Sequence, residues 1–64
     1  MRQDEIRAIL EKLRAWEEES KDKAVEAYAM YEEENDESYL FDTRGYEERA
    51  YSYRQAIGLI EEIM

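Results

Sequence analysis

The chain has 64 residues, 18 of them acidic against 9 basic, a net charge of −9, and neither cysteine nor histidine. Such a length allows one domain at most, near the size at which a chain struggles to bury enough apolar surface to stay folded alone. Disulfides and the usual zinc sites are excluded by composition, and the acidic balance argues against direct nucleic-acid binding, which needs basic surface to neutralise phosphates.

No run approaches the roughly 20 apolar residues of a membrane span, and the N-terminus has no basic region followed by an apolar one. The expectation is therefore a cytoplasmic chain with no membrane segment or signal peptide. Proline is absent and Glu, Ala, Arg and Lys abound, which favours helix. A content of 42% charged residues would also suit a disordered chain, but the apolar periodicity argues for order.

Residues from about 3 to 34 contain no helix breaker, and Ile6, Leu10, Leu13, Ala24, Ala27 and Tyr31 recur at alternating steps of four and three. Glu17 and Ser20 complete this stripe with polar side chains. The simplest reading is one helix roughly 48 Å long at 1.5 Å per residue; the alternative is a break near Ser20, giving three helices in all. Asn35 and Asp36 are the first punctuation, since Asn tolerates the left-handed conformation that ends a helix and Asp caps the next.

A second helix is expected from about 37 to 63, with the stripe Tyr39, Thr43, Tyr46, Ala50, Tyr53, Ile57, Ile60 and Met64. Gly45 lies inside it at a cost of about 1 kcal/mol relative to Ala, and Asp42 or Thr43 offers an alternative, later cap. If the chain reverses at Asn35-Asp36, the pairs from Tyr31/Tyr39 through Ala27/Thr43, Ala24/Tyr46, Ser20/Ala50, Glu17/Tyr53, Leu13/Ile57 and Leu10/Ile60 to Ile6/Met64 all have numbers summing to 70. A constant sum is what an antiparallel hairpin with coiled-coil-like packing requires. Ile9, Trp16, Met30, Leu40, Phe41, Tyr51 and Leu59 lie off that seam, more than two helices can bury. The fold class expected is thus all-α: an antiparallel helical hairpin assembling into a homo-oligomeric helical bundle, most simply a dimer of four helices.

Catalysis is not expected. The acidic residues fall on solvated helix faces, phosphate-binding glycine loops and nucleophile elbows are absent, and a bundle-type metal site would want Glu-x-x-His. No cofactor or metal is implied. Two stretches carry what functional signal exists. The run Glu32, Glu33, Glu34, Asp36, Glu37 would sit at the hairpin tip, where glutamates at a helix C-terminus oppose its dipole by about 0.3–1 kcal/mol each. It reads either as a solubilising turn or, with Glu17-Glu18-Glu19 and Glu47-Glu48, as a nucleic-acid-like decoy for a basic host protein.

The second is the stretch 39–54, which holds four of the six tyrosines, the only phenylalanine and Arg44, Arg49 and Arg54. Tyr46, Arg49 and Tyr53 are helical neighbours, with Tyr51 and Arg54 forming another pair, and the constant-sum pairing sets Lys21, Glu17 and Ser20 opposite them. One reading is a pocket for a nucleotide-like anion: Tyr46 and Tyr53 stack on a base, Arg49 and Lys21 hold phosphate, and Tyr51 and Arg54 stand in reserve. The other is purely structural, with tyrosine hydroxyls bonded to Glu17 and Ser20 and the arginines paired with glutamates.

The segment YEERAYSYRQAIGLI at 46–60, following an Asn-Asp turn, resembles the second helix of small helical-hairpin accessory proteins of phages and mobile elements. The likeness implies a factor that blunts bacterial defences, by inhibiting a host protein or sequestering a nucleotide signal, in the cytoplasm of a bacterial host.

Overall fold

A computed structural model describes residues 2–63, and in it two helices are joined by a short turn: α1, Arg2–Glu34, and α2, Ser38–Ile63. They lie side by side as a rod whose Cα extents are 50 × 14 × 10 Å. α1 runs unbroken for 33 residues, so the three-helix alternative does not occur. Thr43 lies within α2, so the later start is not used either.

Local chemistry explains the reversal. The Asn35 N–H donates to the Tyr31 carbonyl at 2.7 Å while Asn35 itself takes φ 56°, the left-handed cap that closes α1. One residue on, the Asp36 carboxylate accepts a hydrogen bond from the Ser38 N–H at 3.0 Å and caps α2. The first turn of α2 is tight, with Tyr39 N–H donating to the Asp36 carbonyl at 3.1 Å and Leu40 N–H to the Glu37 carbonyl at 3.0 Å. The same hydrogen bonds from Ser38 hold the Asp36 carboxyl below its ordinary value.

Burial follows the seam. The buried residues Leu10, Ser20, Ala24, Ala27, Thr43, Ala50 and Ile57 all stand at seam positions. Ile6, Leu13, Glu17, Tyr31, Tyr39, Tyr46, Tyr53 and Ile60 are half-buried, and off the seam only Leu40 and Ala56 match them among the described residues. Met64, the expected partner of Ile6, lies outside the described residues. The register is confirmed by side-chain contacts between the helices: Trp16 meets Tyr53, and Lys23 meets Tyr46, each pair one number short of 70.

Small residues dominate the middle of the seam, where Ser20, Ala24, Ala27, Thr43 and Ala50 are all buried between the helices. The polar seam positions are accommodated rather than broken: Ser20 faces small Ala50, the Glu17 carboxylate reaches Lys21 at 3.4 Å, and the Thr43 hydroxyl donates to the Tyr39 carbonyl at 2.8 Å. Among the described residues no large side chain is fully buried, which leaves a thin core.

Asn35 is the residue whose conformation the turn needs most. Asn35→Ala should destabilise the hairpin by about 1–2 kcal/mol, because a Cβ-bearing residue without a local hydrogen-bonding group resists the left-handed region, whereas Asn35→Gly should be neutral or stabilising. Thermal unfolding followed by circular dichroism checks both; equal midpoints for the two variants would contradict the cap.

Candidate functional site

Geometry on an antiparallel pair sorts every side chain beside the seam. Residues that directly follow a seam residue turn to one flank on both helices, and residues that directly precede one turn to the other, because each step rotates 100° and the helices run in opposite directions. Two surfaces of different chemistry result.

On the preceding flank, Trp16 packs its indole against Tyr53 with centroids 5.7 Å apart and planes tilted by 46°. This contact supplies the bulk that Glu17 and Ser20 do not, and such tilted pairs contribute roughly 0.5–1.5 kcal/mol beyond burial. The Lys23 ammonium and the Arg49 guanidinium each lie 5.9 Å from the Tyr46 ring centroid, so two cations of the chain lie against that ring. Tyr46 and Tyr53 are therefore engaged by protein side chains rather than offered as open stacking surfaces.

The following flank carries a groove. Its floor is the small seam residues Ala24 and Ala50, its walls are Val25 and Tyr51, and Lys21, Arg54, Glu17 and Glu47 edge it; the open cleft has a volume of about 450 Å³. The Tyr51 hydroxyl accepts a hydrogen bond from the Gln55 side-chain amide at 2.8 Å, which steers the ring along α2. A second depression of 450 Å³ continues past Glu17 and Arg54 to the ion pair of Arg14 with Glu61 at 2.7 Å. That pair is about half exposed on each side, so its contribution is small and it serves mainly to frame the groove.

The candidate pocket of the sequence thus divides. Tyr46, Arg49 and Tyr53 lie on one flank, while Lys21, Tyr51 and Arg54 gather on the other, and Lys21 does not stand beside Arg49. The reason is directional: Lys21 follows Ser20 and Arg54 follows Tyr53, whereas Arg49 precedes Ala50. Sequence reasoning missed Lys23 and Trp16 as the partners of Tyr46 and Tyr53; both precede seam residues, a signal that was present. Neither tyrosine–Glu17 nor tyrosine–Ser20 hydrogen bonds form, and Arg44, Arg49 and Arg54 make no ion pair, among the described residues.

At the tip, Glu32, Glu33, Glu34, Asp36 and Glu37 are all exposed, and the last turn of α1 carries no basic residue to offset them. Two of the five act on their neighbours: Asp36 caps α2, and the Glu34 carboxylate beside Tyr39 raises that hydroxyl above its ordinary value. Among the described residues no group of histidine, cysteine and acidic side chains converges in a way that could hold a metal ion, and no helix is long and apolar enough to cross a membrane. No family model, curated protein or solved structure matches the chain.

The Tyr39–Glu34 contact has a pH signature. A hydroxyl raised in the folded state contributes stability that is fully present below the unfolded tyrosine value, near 10.0, and is lost as pH rises through the higher folded one. The melting temperature should therefore fall more steeply on the alkaline side in the wild type than in Tyr39→Phe; parallel alkaline profiles would contradict the contact.

Proposed function

We propose that the protein is a non-catalytic binding protein that captures a nucleotide-like ligand, planar at one end and anionic at the other, in the groove between Val25 and Tyr51. The observation that carries this reading is the meeting of Lys21, Tyr51 and Arg54, drawn from both helices, around one 450 Å³ cleft. That volume lies within the range of small-molecule pockets. The floor of Ala24 and Ala50 admits a flat ring, Tyr51 offers it an aromatic face, and Lys21 and Arg54 at the rim are donors for a phosphate. Glu17 is already matched by Lys21, and the Glu47 carboxylate is an acceptor for an exocyclic amine. With the resemblance of its second helix, the role would be that of a phage-type accessory factor that withholds a nucleotide signal from a bacterial defence system.

A second reading, recognition of a basic host protein as a nucleic-acid-like decoy, is favoured by one specific observation. Glu32 and Glu33 stand exposed at the C-terminal end of α1, against its dipole, with no basic residue in that turn. Binding of that kind fades as salt rises, because it rests on exposed charge.

Thermal shift against a panel of mononucleotides and cyclic dinucleotides tests the first reading. One class of ligand should raise the melting temperature; Arg54→Ala and Tyr51→Ala should abolish the shift, and Arg49→Ala, on the opposite flank, should preserve it. Absence of any shift across the panel would remove the nucleotide reading, and a shift lost in Arg49→Ala but kept in Arg54→Ala would place the ligand on the wrong flank.

A further inference from the structure

Toward the open end of the hairpin, the flank of residues that precede the seam carries the apolar side chains Ile9, Trp16, Leu59 and Ile63, and nothing among the described residues covers them. Ile9 is 51% exposed, Trp16 46%, Leu59 62% and Ile63 80%. On α2 this surface forms a second regular stripe, Gly45, Arg49, Ser52, Ala56, Leu59 and Ile63, stepping by four and three like the first. Gly45 has a helical, negative φ, and a Cβ built there meets nothing within 4 Å, so neither backbone conformation nor packing within the chain requires glycine.

Surface area indicates how much is left uncovered. The chain exposes 5367 Å², whereas a compact monomer of its 7.8 kDa mass would expose about 4,400 Å². The excess is on the order of 1,000 Å² over the whole 50 × 14 × 10 Å rod, so covering one flank with the roughly 800 Å² per partner of a standard stable interface would bring the chain close to the compact value.

We propose that a second copy of this chain covers this flank, with α2 packed antiparallel on the partner's α2 about a two-fold axis passing near Arg54 in the sequence direction. Paired numbers then sum to 108. Gly45 faces the partner's Ile63, Arg49 faces the partner's Leu59 with its aliphatic stem, and Ser52 faces the partner's Ala56. Small residues meet large ones at the ends, and two small residues meet at the centre, where the helices come closest. Trp16 and Ile9 from α1 close the sides of the contact. The same patch serves both chains, as a two-fold interface demands. The groove of the opposite flank stays open in this dimer, so the assembly stands or falls independently of the ligand proposed for it.

Light scattering coupled to size exclusion at about 50 µM should give twice the chain mass of 7.8 kDa. Because each chain carries −9, raising salt should tighten the dimer by screening repulsion while leaving the apolar contact intact. Leu59→Glu should return a monomer, while Val25→Glu on the other flank should leave the dimer intact. A measurement that does not depend on a destabilised variant uses the absence of native cysteine: an equimolar mixture of Ser52→Cys and Ala56→Cys chains should oxidise to the mixed disulfide well above the half expected from random pairing. A monomeric wild type, a dimer broken by Val25→Glu and not by Leu59→Glu, or disulfides at the random ratio would each overturn the proposal.

Discussion

Small side chains in the middle of the seam are the constraint on which the rest of this hairpin depends. Ser20, Ala24, Ala27, Thr43 and Ala50 let the helices close on each other, and the closeness holds a single register over their length. The cost is a core with little volume. Only Leu10 and Ile57 bring large aliphatic side chains into the buried core among the described residues, and neither is wholly enclosed, so the aromatic residues at half-buried seam positions must be completed from outside the seam. Trp16 against Tyr53, and Lys23 and Arg49 against Tyr46, are those completions. The same small residues leave the Ala24–Ala50 floor low on the opposite flank, which is how one packing choice produces both an aromatic cluster and a groove.

The stripes of the two helices, the turn at Asn35-Asp36 and the register were legible in the sequence because each rests on local chemistry or on a period that burial enforces. Ser20 and Glu17 did not break α1, since a polar residue at a seam edge can be satisfied by its own helix, as Glu17 is by Lys21. What misled was the assignment of flanks. Numbers that sum to about 70 say that Lys21 and Arg49 are at the same height on the rod; they do not say on which side of the seam each lies. That information sits in whether a residue precedes or follows its seam neighbour, and by that criterion Lys21 belongs with Arg54 and Tyr51.

Charge adds a second layer. The tip acids are all exposed but not uniform: Asp36 caps α2 and Glu34 acts on the Tyr39 hydroxyl, whereas Glu32, Glu33 and Glu37 have no such role. Three cations are spent locally, Lys21 on Glu17, Lys23 on Glu19 and Arg14 on Glu61. These exposed pairs contribute little to stability, but they leave Arg54 as the cation at the groove without an ion-pair partner among the described residues, which is why the proposed ligand contact centres there.

A hairpin with so thin a core and so much exposed apolar surface should owe part of its stability to association, as proposed above. Thermal unfolding followed by circular dichroism at protein concentrations from about 2 to 200 µM tests that dependence directly, because a dimer gains about 2.7 kcal/mol by mass action over a hundredfold range. The account predicts a midpoint that climbs with concentration while the helical signal at low temperature stays constant. A cooperative transition whose midpoint does not move across that range would contradict it.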